Sequence, residues 1–101
     1  MREREVEAYL VREVKKVGGF TRKVQFIGHR GAPDRLVCIP HDRIHFLVEL
    51  KRPKGGILES HQVREHKRLQ ESGFRVYIAY TKEAVDLVLR KEFIDATDHD
   101  V

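Results

Sequence analysis

The chain has 101 residues, of which 41% are hydrophobic and 36% charged, with a formal net charge of +4 at pH 7. This length suits one hydrophobic core and excludes a second domain of ordinary size, and no apolar run approaches the roughly 18 residues of a membrane-spanning helix. The single cysteine, Cys38, excludes an intrachain disulfide and a cysteine-based zinc site. The charged N-terminus lacks the apolar stretch of a signal peptide, so we expect a cytoplasmic protein.

Hydrophobic periodicity predicts seven elements in the order αβββαβα. Val6, Leu10 and Val14 recur at helical spacing, and Ser60 and Thr81 are predicted to cap two later helices. The predicted ranges are helix 3–17, strands 20–27, 34–39 and 44–51, helix 61–72, strand 74–80 and helix 82–93. This order predicts an α/β fold in which helices pack on a mixed sheet.

Two of the predicted strands each carry an acid where a buried strand rarely has one. If Ile39 faces Ile44 across the short turn, antiparallel pairing sets Asp34 opposite Glu49. Two carboxylates forced together on a half-buried surface need a cation or a shared proton. Lys51 lies two residues after Glu49, so it points from the same face of the strand. The pattern predicts a hard-metal site beside a lysine, which is suited to cutting phosphodiesters.

Mg²⁺ prefers oxygen ligands, and the backbone carbonyl of Leu50 is a candidate third oxygen beside the two carboxylates. The alternative interpretation makes Glu49 and Lys51 an exposed ion pair on an edge strand. That alternative does not explain the opposing acid, or the basic, Gly-rich loop 52–56 that follows directly.

Other polar residues give weaker signals. No histidine is predicted to be a ligand, because His61 and His66 are five residues apart rather than the four that align zinc ligands on a helix. Several basic residues flank the motifs and are candidate DNA phosphate contacts, although a solvated surface side chain is the commoner case for each one singly. These candidates are Lys23, Arg30, Arg35, Arg52 and Lys54.

The order of these motifs resembles that of VRR-NUC domains, the virus-type replication-repair nucleases of the restriction-endonuclease-like PD-(D/E)XK superfamily. The matching residues are Lys23, Gly31-Ala32-Pro33-Asp34-Arg35, Phe46-Leu47-Val48-Glu49-Leu50-Lys51, Gly55-Gly56-Ile57-Leu58, Gln62 and Gly73-Phe74-Arg75-Val76-Tyr77. The resemblance spans roughly residues 3–90. It implies a restriction-endonuclease-like mixed β-sheet flanked by helices, with residues 1–94 as a stand-alone nuclease domain and 95–101 as a polar acidic tail.

The resemblance also implies a set of metal ligands. Asp34 and Glu49 would be two of them, and an acid on the first helix completes the site in such nucleases. Glu7, at the edge of the apolar stripe, is the preferred candidate for this acid, and Glu3, one turn away, is the alternative.

Two further residues receive roles from the same resemblance. Lys51 would be the catalytic lysine. Gln62 matches the glutamine that VRR-NUC domains carry on the helix after the lysine strand, where it can contact the lysine or a water. The alternative for Gln62 is a capping role at the start of its helix.

The activity implied is that of a Mg²⁺- or Mn²⁺-dependent endodeoxyribonuclease acting on branched double-stranded DNA in a bacterial or phage-infected cell. Resolution of four-way (Holliday) junctions by a homodimer is the sharpest expectation, because such a junction needs two matched cuts. Two alternatives stay open. They are a monomeric nuclease that processes flaps or nicks, and a nucleic-acid-binding module that has lost catalysis.

Overall fold

The computed structural model describes residues 1–99, with side chains described as far as residue 97. The helices are α1 (Glu3–Lys16), α2 (Ser60–Glu71) and α3 (Lys82–His99), and the strands are β1 (Phe20–Lys23), β2 (Arg35–Ile39), β3 (Ile44–Leu50) and β4 (Val76–Ala79). The predicted order αβββαβα is confirmed. One short 3-10 turn, Pro40–Asp42, joins β2 to β3.

The four strands form one mixed sheet in the order β1-β2-β3-β4. β2 runs antiparallel to both β1 and β3, whereas β3 and β4 run parallel. Ile39 pairs with Ile44, as predicted, so the register of the β2–β3 hairpin is the one that the sequence indicated. This hairpin sets the positions of the side chains at the far ends of both strands.

One face of the sheet packs against α1 and α3 and forms the hydrophobic core. From α1 the core takes Val6 and Leu10, and from β3 it takes Phe46 and Val48, all almost completely buried. Each such side chain contributes on the order of 1.5–3 kcal/mol by leaving water. Because side chains alternate along a strand, Glu49 faces the opposite side of the sheet, toward α2.

Two element ends differ from the prediction by more than two residues. α3 continues to His99 instead of ending at 93, because Ala96 packs against the core and Lys91 pairs with Asp95 at 2.7 Å. The predicted tail 95–101 therefore begins inside a helix, and its final two residues lie outside the described part of the chain.

β1 ends at Lys23, whereas the sequence predicted a strand as far as residue 27. The Val24 N–H still donates to the Asp34 carbonyl at 3.0 Å, but the chain then leaves the sheet. Ile27 is 98% exposed in the loop that follows, so its side chain contributes no burial that would extend the strand.

Candidate active site

The end of β3 and the residue before β2 bring two carboxylates together. Arg35 pairs with Val48 in the hairpin, so Asp34 lies one step further along, opposite Glu49. Asp34 Oδ2 accepts a hydrogen bond from the Leu50 N–H at 2.7 Å, which fixes this carboxylate against the end of β3. The main chain of Leu50, predicted to offer its carbonyl, thus meets Asp34 through its N–H.

A third acid comes from the first residue of α1. Glu3, Asp34 and Glu49 each offer one carboxylate oxygen, and these three oxygens lie within 4.8 Å of one another. Glu3 is exposed, Asp34 is half-buried and Glu49 is buried, so this acid cluster opens toward solvent on the Glu3 side. Carboxylate oxygens that converge in this way are the donors that Mg²⁺ prefers.

Glu7, the preferred helix acid in the sequence analysis, has a different partner. Its carboxylate accepts from Arg35 Nε at 2.7 Å, and Arg35 also donates to Thr21 Oγ1 at 3.3 Å. The first turn of α1 reaches the acid pair, so the geometry favours Glu3 over Glu7 as the third metal ligand. Arg35, predicted to contact DNA phosphates, is instead engaged in this ion pair, and its side chain is only 16% exposed.

Lys51 and Gln62 join Glu49 in a ring of polar contacts. Lys51 Nζ lies 3.3 Å from Glu49 Oε2 and donates to Gln62 Oε1 at 3.2 Å. Gln62 Nε2 donates to Glu49 Oε2 at 2.9 Å, which closes the ring. The lysine is thereby held in one place by two partners.

Both interpretations of Gln62 hold at once. Besides Lys51, its Oε1 accepts the Glu59 N–H at 2.9 Å in a capping-box arrangement at the start of α2. The N-cap is therefore Glu59, and Ser60, the predicted cap, is the first helical residue. One amide group thus links the beginning of α2 to the lysine.

The carboxylates of the acid cluster are partly removed from water, which affects their pKa values. Burial and the nearby charge of Asp34 raise the pKa of Glu49 to about 7, against the opposing effect of the Lys51 ammonium. Burial also raises the pKa of Asp34, while the hydrogen bond from the Leu50 N–H lowers it. Raised pKa values are typical of acids that are crowded into one site. A bound cation would stabilise their deprotonated forms and so take the place of the protons.

A buried histidine that the sequence analysis did not select lies behind this cluster. His66 is 4% exposed, and its Nε2 lies 3.8 Å from Glu49 Oε1. Burial lowers the pKa of His66, which favours the neutral imidazole. His66 follows Gln62 by four residues, so both project from the same face of α2. That spacing was the signal in the sequence that could have identified it.

Glu49 differs from Glu92, the other buried acid of the described residues. Glu92 accepts from Arg75 Nε at 2.7 Å and from the Tyr77 hydroxyl, so it belongs to a satisfied structural ion pair. Glu49 Oε1 and His66 Nε2 have no hydrogen-bond partner within the described part of the chain. A buried carboxylate oxygen without a partner is costly unless a cation or water binds it. The residues present therefore fit a divalent metal ion.

Comparison with known proteins shows which family has this fold and this site. A solved structure described as a VRR_NUC domain matches with a TM-score of 0.80 and 32% sequence identity, over 87% of this chain and 94% of that one. The chain belongs to the VRR-NUC family. A relative named "Putative nuclease p44", from Acyrthosiphon pisum secondary endosymbiont phage 1, is 45% identical over 78 residues, or 77% of this chain and 82% of that protein. No protein-family model matches the chain.

Membership of the VRR-NUC family confirms the resemblance and the mixed α/β fold predicted from the sequence, and it identifies a nuclease. Between residues 1 and 99, none of the helices combines the length and the apolar character that crossing a bilayer requires.

The surface beside the VRR-NUC acid cluster is basic. An open cleft of about 560 Å³, here called the rim cleft, has Glu3 in its lining, so it adjoins the acid cluster directly. Its cationic lining residues are Arg2, Arg4, Arg52 and Lys54. The loop after β3 folds tightly here, since a Cβ on Gly56 would lie 2.4 Å from the Arg52 carbonyl oxygen. Arg52 and Lys54, two predicted phosphate contacts, thus lie next to the candidate active site.

The remaining predicted phosphate contacts lie away from the rim cleft. Lys23 is exposed at the end of β1, and Arg30 is exposed in the loop between β1 and β2. Arg30 instead lines a second cleft, against α2.

The raised pKa values predict how the stability of the metal-free VRR-NUC chain varies with pH. Glu49 binds its proton more tightly in the folded state, so its contribution to the free energy of unfolding is complete below its ordinary pKa of 4.5 and is lost as the pH rises through about 7. Asp34 acts in the same direction. Thermal unfolding in EDTA should therefore show this loss between pH 5 and pH 8. Added Mg²⁺ should raise Tm more at pH 8, where it binds deprotonated acids.

Glu49→Gln provides the control for this measurement, because it removes the titrating group and one candidate metal ligand together. Both the pH effect and the Mg²⁺ effect should shrink in the variant. An equal Mg²⁺ effect in wild type and variant would show that the ion binds elsewhere.

Proposed function

We propose that this protein is an endodeoxyribonuclease that uses Mg²⁺ or Mn²⁺ and resolves four-way DNA junctions as a homodimer in the cytoplasm of a bacterial or phage-infected cell. The observation that carries the proposal is the buried Glu49 oxygen, without a partner among the described residues, in a cluster of three acids beside a lysine. Glu92, the other buried acid of the described residues, instead binds Arg75 and Tyr77 through its Oε2 and has no buried oxygen without a partner.

Glu3, Asp34 and Glu49 are the proposed ligands of the ion, because one carboxylate oxygen from each converges within 4.8 Å and Glu49 also has an oxygen buried without a donor. When bound, such an ion neutralises charge that builds up on the phosphate and makes water easier to deprotonate. The Leu50 carbonyl stays a candidate additional oxygen, since the same residue already contacts Asp34. Glu7 is not among the proposed ligands, because its carboxylate binds Arg35.

Lys51 is the proposed catalytic lysine. Hydrolysis bonds a water oxygen to phosphorus and breaks one P–O ester bond, and the departing oxygen takes up a proton. Negative charge grows on the phosphate oxygens during this step, and a fixed ammonium stabilises it without having to reorganise. Gln62 is a positioning residue in this proposal, because it holds Lys51 and Glu49 and does not need to touch the DNA.

The proposed substrate and assembly rest on symmetry and charge. The described residues contain one acid cluster per chain, whereas a four-way junction needs two matched cuts. Two copies related by a two-fold axis supply both sites at a fixed spacing. The basic rim cleft supports a nucleic-acid substrate, since each cation placed against a phosphate adds affinity.

The proposal is tested with four-way, flapped and linear DNA of matched sequence, each incubated in Mg²⁺, Mn²⁺ or EDTA. We expect wild type to introduce paired nicks in the four-way junction only when a metal is present, and Asp34→Asn to be inactive. Lys67→Gln is the matched control, because this exposed α2 residue lines neither basic cleft. Size-exclusion chromatography with light scattering should give the mass of two chains.

Each other outcome contradicts a different part of the proposal. Equal cutting of linear duplex would contradict junction selectivity and leave the hydrolytic chemistry intact. A single-chain mass together with cutting of flaps would identify a monomeric flap nuclease. Tight DNA binding without cutting in either metal would identify a catalytically silent binding module.

A further inference from the structure

A second basic cleft lies between α2 and the loop that joins β1 to β2. Its volume is about 350 Å³, and it is called the α2 cleft here. Its side chains of interest are Arg30, Arg64, Arg68, His29, His61 and one acid, Glu65. Among the described residues, the lining of this cleft and that of the rim cleft have no residue in common.

The loop side of the α2 cleft is held against the helix by two contacts. Gly31 has φ +98°, and a Cβ there would lie 2.7 Å from the His61 carbonyl oxygen, so the backbone packs directly on the first turn of α2. One turn further along, His29 Nε2 lies 2.9 Å from Glu65 Oε1. These contacts hold Arg30, between the two loop residues, beside the helix.

The charge of the α2 cleft is strongly positive. Glu65 is its only acid among the described residues, and that carboxylate is engaged by His29. Arg30, Arg64 and Arg68 form no ion pair with any carboxylate whose side chain the structure describes. Three guanidinium groups around one cleft match phosphate oxygens, which they bind with paired N–H donors.

The α2 cleft is separate from the catalytic acids. Successive residues of a helix are about 100° apart, so Arg64 and Arg68 lie on a side of α2 turned away from Gln62 and His66. Gln62 contacts Lys51 and Glu49. A phosphate bound between the arginines is therefore a different phosphate from the one that is cut.

We propose that the α2 cleft binds the phosphodiester backbone of a second duplex arm, one that is not cut. The inference rests on the proposed function and adds to it the surface that distinguishes branched from linear DNA. The rim cleft adjoins the acid cluster and suits the arm being cut, while the α2 cleft is reached from a different element. A straight duplex that follows one cleft leaves the other empty, whereas two arms of a junction fill both.

The test measures binding without cleavage. Fluorescence anisotropy in EDTA gives Kd for a four-way junction and for a linear duplex, at several salt concentrations, with wild type, Arg64→Gln/Arg68→Gln and the control Lys67→Gln. Each lost phosphate contact reduces the slope of log K against log salt by about 0.9. The double variant removes two arginines from each chain, and so four from the homodimer, and we expect the junction slope to fall by about 3.6 and the preference for junction over linear duplex to fall about tenfold.

Two results would overturn the inference. An equal fall in slope on both DNAs would place the α2 cleft along the duplex that is cut, and unchanged slopes on both would remove it from DNA binding altogether. Single substitutions at each arginine, with thermal unfolding of every variant, separate these results from misfolding. Because no metal is present, the slopes report on the α2 cleft even if the nuclease activity proposed above proves wrong.

Discussion

Lys51→Ala is expected to lower the rate of DNA cleavage by at least about a hundredfold, with little change in DNA affinity. The Lys51 side chain is 14% exposed and its ammonium is held by Glu49 and Gln62, so it is a positioned charge rather than a mobile surface lysine. Removing one preorganised donor to a developing negative charge costs on the order of 10²–10³ in rate. Single-turnover cleavage of the four-way junction, with affinity measured separately in EDTA, separates the chemical step from binding.

Two further variants define what a different result would mean. Lys67→Gln removes an exposed lysine that contacts neither cleft, so it should cut at the wild-type rate. Lys51→Arg keeps the charge but replaces a compact ammonium with a larger, planar guanidinium group. It should therefore retain only part of the cleavage activity. If Lys51→Ala weakened affinity as much as cleavage, the lysine would be a phosphate contact and not part of the chemistry.

Glu49→Gln should lower the rate of metal-dependent cleavage by at least about a hundredfold and raise the thermal stability of the metal-free chain. The carboxylate lies in a buried site beside Asp34, where its charged form is disfavoured. A neutral amide of the same shape removes that charge, and its N–H can reach toward His66 Nε2, which has no partner among the described residues. Removing a buried charge whose pKa is raised to about 7 should stabilise the chain by on the order of 1–3 kcal/mol at pH 8, and 1 kcal/mol shifts Tm by roughly 4–8 °C in a domain of this size.

Glu92→Gln is the matched control, since Glu92 is the other acid buried in the described residues. Its carboxylate is bound by Arg75 and Tyr77, so the same chemical change weakens a satisfied ion pair and should lower Tm. Cleavage should be unaffected, because Glu92 lies outside the acid cluster. If both variants lowered Tm alike, Glu49 would be a structural acid and the argument for a metal site would fail.

The hairpin explains why so much of the candidate site could be read from the sequence. Once Ile39 faces Ile44, the period of two along each strand leaves one position for the partner of Asp34 and one face for Lys51. Neither step depends on how the helices pack. Local sequence rules therefore sufficed to bring the two acids and the lysine together.

The choice between Glu3 and Glu7 could not be made in the same way. Both acids lie on one side of α1, one turn apart, and which turn reaches the acid pair depends on how the helix sits across the sheet. Arg35 favours Glu3 by binding Glu7, a contact between residues 28 apart in sequence. The extension of α3 to His99 has a similar cause, because Ala96 gains its helical state from packing against the core.

Gln62 takes part both in the capping of a helix and in the polar contacts of the candidate active site. The same amide oxygen accepts the N–H that begins α2 and the ammonium of Lys51. Helix ends open and close locally at a small fraction of the free energy of global unfolding. Each time the first turn of α2 frays, the lysine loses one of its two partners, so with Lys51 in its proposed catalytic role the rate of cutting would depend on a local equilibrium at one helix end.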